Sequence, residues 1–281
     1  MSTLSRSDFD EVKRIPLWKF IGVWIAIFII FTVTPGLVRR LLGYGIGGDN
    51  WAESFFQIAW SAPFLTALFF LYRTKFYRQI TGKIEARDFA KNLFYLFCVT
   101  LLTISSGILG KYFLAKTGSP DLIPENIGTQ IVFSPVQNPY LFAIFDVAFT
   151  IILVPILEEL TFRAFLIGKL TKWVPVAWAV LISTLIFAYL HSNPIYAFLA
   201  GAVFGIIFIK YGNLYLNIAL HATSNLISFL FSILVVFGVY DPLNLNHLTA
   251  ELVIGTIVFI FSLVFMVVFV KNNFRFIKSL K

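Results

Sequence analysis

Apolar runs of about twenty residues recur along the chain, separated by short polar segments. A helix needs roughly 20 mainly apolar residues to cross the hydrocarbon core of a bilayer. That ruler picks out eight candidate spans: 17–38, 52–72, 92–115, 140–162, 173–190, 194–210, 214–237 and 248–270. The first three and the last two are clear. The fourth, fifth and sixth are shorter or interrupted by polar groups. The pattern predicts an all-α fold, a polytopic membrane bundle of about eight transmembrane helices. The 281 residues read as one integral membrane domain, with the polar interruptions concentrated in a core at about 140–237. Between the third and fourth spans, Pro120, Pro124, Pro135 and Pro139 break any helix. That stretch reads as an extracytoplasmic loop, either a plain connector or a cover over the bundle.

Composition supports a membrane protein and excludes two alternatives. Hydrophobic residues make up 59%, Phe alone occurs 33 times, and charged residues are only 13%. Mean hydropathy is +0.86. A soluble globule could not hide so much apolar surface, and a disordered chain would be poor in aromatic and branched residues. The net charge of +8 does not point to nucleic acid, because the bases lie in short segments between apolar runs. One group is Arg73, Lys75, Arg78, Lys83, Arg87 and Lys91. Others are Arg163, Lys169 and Lys172, then Lys210, then Lys271, Arg275, Lys278 and Lys281. Eight spans put all of these on one side, with Asp121, Glu125 and Asp241 opposite and only Arg39 and Arg40 out of place. The positive-inside rule then sets both termini in the cytoplasm of a multi-pass cell-membrane protein. The N-terminal apolar run is too long for the core of a cleavable signal peptide. The single cysteine, Cys98, excludes an internal disulfide and a four-thiolate zinc site.

Ionisable groups inside apolar runs are costly, and they usually face the bundle interior or a wet cavity. The fourth span holds Asp146 and runs into Pro155-Ile156-Leu157-Glu158-Glu159, with Arg163 shortly after. Glu159 and Arg163 are four apart and share a helix face, so they can pair. Glu158 points about 100° away and is left free of that pair. A carboxylate in a dehydrated pocket can exchange a proton near neutral pH, which a base acting on water requires. The fifth span ends in Phe187-x-x-x-His191. On the seventh, His221 and Asn225 lie four apart on one face, where two donors could hold an oxyanion. Each feature alone has a plainer account: a helix end, an interfacial histidine, an interhelical hydrogen bond. Together they place two glutamates, an arginine, two histidines and an asparagine on three helices of a chain with only three histidines. The third histidine, His247, begins the eighth span and reads as interfacial.

Glu158-Glu159-x-x-x-Arg163, Phe187-x-x-x-His191 and His221-x-x-x-Asn225, in this order on successive helices, resemble the CPBP family. This is the family of CAAX prenyl endopeptidases and bacteriocin-processing or bacteriocin-immunity (Abi) proteins. The resemblance covers about a third of the chain, roughly 140–229. It implies an eight-helix bundle around an intramembrane cavity and hydrolysis of a peptide bond in a membrane-associated protein or peptide. By the same resemblance Glu158 is the base activating water, His191 assists it, His221 and Asn225 stabilise the oxyanion, and Glu159 and Arg163 organise the site. Prenylated CAAX proteins, peptide precursors, pheromones and bacteriocin leaders are the substrate classes it suggests. No cofactor is expected; zinc stays open, although His-Glu-x-x-His is absent. The lipid bilayer is an expected partner and nucleic acid is not. The alternative is a non-catalytic membrane protein, acting in bacteriocin self-immunity or on a membrane sensor kinase through helix–helix contacts. A transporter ranks below both, since no inverted repeat is visible.

Counting turns from the basic ends leaves a conflict of depth. Glu158 and His221 fall in the near half of their spans, whereas His191 falls at the far end of 173–190. The three can meet only if the stretch 169–178 lies mostly outside the hydrocarbon, or if the fifth helix is short and tilted.

Overall fold

In a computed structural model, residues 3–26, 29, 62–72, 74–117, 148–191, 193–236 and 248–279 are described. Among them there are helices and no strand. In chain order the helices are α1 (Asp10–Arg14), α2 (Leu17–Ala26), α3 (Ala62–Tyr72), α4 (Lys75–Ile80) and α5 (Ala86–Lys116). A broken helix, α6, spans 149–170. It is followed by α7 (Val176–Tyr189), α8 (Pro194–Tyr211), α9 (Leu214–Val236) and α10 (Leu248–Ser279). Among the described residues, three helices are long and apolar enough to cross a membrane, over Ala86–Lys116, Pro194–Tyr211 and Leu252–Asn273. Shorter apolar helices lie over Leu17–Ala26, Val176–Tyr189 and Leu214–Leu230. Asp146, His247, Arg39 and Arg40, the acidic residues Asp121, Glu125 and Asp241, and the proline-rich loop lie outside the described residues.

Local chemistry sets the helix ends. Pro194 occupies the first turn of α8, and the Asn193 side chain accepts the Tyr196 N–H at 3.1 Å. That is where proline fits and where an asparagine caps. Gly212 closes α8 with φ of 55°, a left-handed cap that glycine adopts without strain. Thr74 caps α4 by accepting from Tyr77 N at 3.1 Å.

The basic segments meet at one end of the bundle. The Leu4 N–H donates to Ile209 O at 2.8 Å, and Arg6 Nε donates to Thr171 O at 2.7 Å. The Glu11 carboxylate accepts from Lys75 N at 2.6 Å, and Asn213 Nδ2 donates to Lys83 O at 3.0 Å. Lys210 Nζ donates to Asn273 Oδ1 at 2.7 Å. The N-terminal segment is thus a strap across this end, with Lys169 Nζ donating to the carbonyls of Lys13 and Ile15. The strap lies so close to α6 that a Cβ on Gly168 would stand 2.8 Å from Val12 Cγ1. Phe9 and Val12 are fully buried there, with Phe76, Ile80 and Ile167 in the same cluster.

The helix lengths resolve the conflict of depth. The fourth apolar run ends at Phe162 by composition, but its helix continues to Leu170. A reading by hydropathy stops at Arg163, the first charge, yet Arg163 is 1% exposed and behaves as an interior residue. Glu158 is therefore some twelve residues from the basic end of α6. In contrast, α7 is short. It starts only at Val176, after Pro175, and has 14 residues, about 21 Å. His191 then arrives beside Glu158. Helices α7 and α8 approach closely at Gly205, where a Cβ would meet Val180 Cγ1 at 2.7 Å.

Candidate active site

The site begins with an irregularity in α6. Phe149–Leu153 and Glu159–Ile167 take π geometry, while Val154–Glu158 and Gly168–Leu170 are α-helical. In the first π segment the Val154 N–H reaches back five residues to Phe149 O. The next bond in that register would run from residue 155 to Thr150 O, but Pro155 has no N–H. A carbonyl left open in an apolar bundle must find another donor. Asn225 Nδ2 supplies it at 2.9 Å, reaching from α9. Pro155 and Asn225, far apart in sequence, are thus joined through one backbone oxygen.

Glu159 is the fixed carboxylate. It is fully buried, and both of its oxygens are engaged. Oε1 accepts from His221 Nδ1 at 3.0 Å. Oε2 accepts from Asn217 Nδ2 at 3.0 Å and lies 3.3 Å from Arg163 Nε. Asn217 gives its other amide hydrogen to Phe204 O at 2.8 Å, tying α9 to α8 as well as to α6. A buried charge is tolerated when it is paired and hydrogen-bonded in this way.

Glu158 contrasts with its neighbour. Among the described residues its Oε2 is buried without a hydrogen-bond partner. His221 Nε2 faces that oxygen at 3.7 Å, and His191 Nε2 faces Oε1 at 3.9 Å. Both separations exceed a direct hydrogen bond and suit a bridging water. The second nitrogen of each ring fixes its orientation. His191 Nδ1 donates to Phe187 O at 2.6 Å, and His221 Nδ1 donates to Glu159. Each histidine therefore turns Nε2 toward Glu158.

Arg163 sits in an aromatic enclosure. Its guanidinium carbon lies 4.6 Å from the Phe187 ring centroid, 5.6 Å from Phe204 and 6.0 Å from Phe162. Cation–π attraction of this kind is stronger when the cation is removed from water. Phe187 also contacts the His191 ring at 4.2 Å, and Phe204 stacks on His221 at 4.8 Å. A Cβ on Gly201 would press on Phe187 at 3.1 Å, so the enclosure depends on that glycine.

Five of the six residues singled out in the sequence are gathered around one point: Glu158, Glu159, Arg163, His191 and His221. Asn225, one turn beyond His221, instead contacts the Thr150 carbonyl. Its amide has a second hydrogen still to give. The sequence reading missed Asn217, Phe204 and the Thr150 carbonyl. Asn217 did carry a signal, being four residues before His221 and so on the face of His221 and Asn225.

Two imidazoles and a carboxylate are zinc-binding chemistry in principle. Among the described residues, however, no group of three or more His, Cys, Asp or Glu has a metal-holding arrangement. The histidines address opposite oxygens of Glu158, so the carboxylate stands between them.

Residues 140–227, about a third of the chain, match the family model described as Type II CAAX prenyl endopeptidase Rce1-like. The match begins before α6 and ends within α9, so it spans every helix that contributes to the site. No curated protein and no solved structure matches the chain.

Proposed function

We propose that this chain is a multi-pass intramembrane endopeptidase that hydrolyses a peptide bond in a membrane-associated protein or peptide. One observation carries the reading: of two adjacent glutamates, one is fully bonded and the other is left free between two imidazoles. A bundle needing only cohesion would bond both, since an unsatisfied buried oxygen is destabilising. The likeness of 140–227 to CAAX-type endopeptidases supports the same reading.

In this mechanism Glu158 removes a proton from a water held between its carboxylate and His191 Nε2. The water oxygen attacks the scissile carbonyl carbon, and the carbonyl π electrons move onto its oxygen. His221, carrying a hydrogen on each ring nitrogen at this step, keeps Nδ1–H on Glu159 and gives Nε2–H, with the spare Asn225 hydrogen, to that oxyanion. The tetrahedral species then collapses, the C–N bond breaks, and Glu158 returns the proton to the leaving amine. Glu159 sets the His221 ring, while Arg163 and Asn217 set Glu159. No step runs through a metal. In this reading the basic end faces the cytoplasm and the chain crosses the membrane about eight times.

The test is Glu158→Gln, which keeps size and removes the base. Membrane-associated peptides are compared by mass spectrometry in cells carrying wild type or variant at matched protein levels. New termini seen only with wild type are expected, and they would name the substrates. Identical termini, with the cellular phenotype intact in Glu158→Gln, would make the cluster a cohesive element of a partner protein. Chelator treatment of purified enzyme is expected to leave cleavage unchanged.

A further inference from the structure

A second polar cluster lies outside the active site, at the basic end of the bundle. The last turn of α8, the first turns of α5 and the C-terminal part of α10 form a cleft there. Lys91 and Lys210 line it from different helices, together with Asn272, Asn273, Tyr211, Tyr95 and Phe269. The cleft is ordered from within. Asn273, 4% exposed, donates to Phe269 O at 2.8 Å and accepts from Lys210 Nζ at 2.7 Å. That fixes one of the three ammonium hydrogens of Lys210. Neither lysine closes a carboxylate pair within 4 Å among the described residues, although Asp88 acts on Lys210 from further away.

Two lysines sharing one cleft repel each other, and Asp88, which forms no ion pair with either within 4 Å, offsets that only in part. An anion between them can offset the rest. The aromatic lining tells what else the ligand carries. Tyr95 and Phe269 are in ring contact at 4.8 Å. Beyond them, Phe94 and Phe97 of α5 and Val267 and Val270 of α10 are exposed along the helix surfaces. A ligand with its anion at the lysines would lay an attached hydrocarbon chain along these side chains.

We propose that the Lys91–Lys210 cleft binds a phosphate group, presented as the headgroup of an anionic phospholipid or as free phosphate. Basic pockets between membrane helices on the cytoplasmic side favour such headgroups. The apolar flank favours the lipid.

The test uses the purified full chain in detergent, titrated with phosphatidylglycerol, with phosphatidylcholine of the same acyl chains, or with inorganic phosphate. The thermal unfolding midpoint is read. Phosphatidylglycerol is expected to raise it saturably by about 5 °C, and phosphatidylcholine to do less than half of that. Lys91→Gln/Lys210→Gln is expected to lose the difference between the two lipids. Lys91→Gln alone, at an exposed position, is expected to lose part of it and serves if the double variant folds poorly. Lys75→Gln/Arg78→Gln, the same charge change at exposed sites on α4, is expected to keep it. An equal shift with inorganic phosphate would assign the site to free phosphate. A difference that survives in both cleft variants, or vanishes equally in the α4 variant, would overturn the proposal.

Discussion

Polar side chains are used in opposite ways by the α5–α10 pair and by the α6–α9 group. On α5, Thr100, Thr103, Ser105 and Ser106 each bond a carbonyl of their own helix, one turn back. Thr256 on α10 does the same. Such residues are satisfied before any neighbour arrives. In the α6–α9 group the bonds cross between helices: Ser183 to Phe162 O, Tyr196 to Ser224, Asn217 and His221 to Glu159, Asn225 to Thr150 O. Exposure divides the molecule along the same line. Half of the apolar stretch of α8 is buried, against 33% of that of α5 and 22% of that of α10, so the outer pair leaves more of its apolar surface uncovered. Most of the polar residues that build the site are therefore marked by hydrogen bonds that leave their helix; His191, whose Nδ1 stays on Phe187 O, is marked instead by the Nε2 it turns to Glu158 on α6.

The largest expected effect comes from breaking the Glu159–Arg163 pair. Arg163→Met leaves Glu159 buried with two hydrogen bonds and no full countercharge. Loss of one partner of a buried pair costs about 3–5 kcal/mol, so the unfolding midpoint in detergent should fall steeply and cleavage should vanish. Glu159→Gln/Arg163→Met keeps acceptor and shape while removing both charges, and it should recover much of the stability but none of the activity. If the double variant is no more stable than Arg163→Met, the charge pair is not what Arg163 contributes. Its contacts with Phe162, Phe187 and Phe204 would then be the reason for its burial.

A smaller effect on stability, with a loss of catalysis beyond it, is expected at Asn217. Asn217→Ala removes one of the bonds that orient Glu159, and through it His221. A misplacement of about 1 Å in such a group costs on the order of 10²-fold in rate. The expected pattern is a fall in kcat with KM nearly unchanged, while Asn217→Asp, which cannot donate to Glu159, falls at least as far. A change confined to stability would reduce Asn217 to a tie between α8 and α9.

What was legible in the sequence and what was not follow from the same physics. A 3.6-residue repeat put Glu159 and Arg163 on one face and freed Glu158, and those relations hold over a single turn. The π segments were not legible, because no residue type encodes them; only Pro155 hinted at a missing bond. The true end of α6 was hidden by Arg163, whose charge resembles an interface until its aromatic enclosure is seen. Phe204 was invisible for another reason. In a chain with 33 phenylalanines, one more on an apolar run carries no signal.

The smallest expected effect is the one that best sharpens the comparison. Ser105 is fully buried on α5, at a position where a buried hydroxyl invites a functional reading. Its Oγ bonds Leu101 O at 2.7 Å, and Leu102 O lies 3.1 Å away. Both carbonyls are already acceptors of the helix itself, so the hydroxyl adds a second donor and removes no orphan. Ser105→Ala should therefore change stability by no more than about 0.5 kcal/mol and leave cleavage intact. Ser183→Ala on α7 removes a bond of similar length, 2.8 Å, to Phe162 O. That bond joins α7 to α6 beside Arg163, and its loss should cost about 1 kcal/mol, toward the upper part of the range for membrane hydrogen bonds. Both residues are buried serines with short bonds to carbonyls, and they differ in whether the bond stays within its helix. Equal losses at the two positions would mean that burial alone sets the cost and that crossing between helices adds nothing.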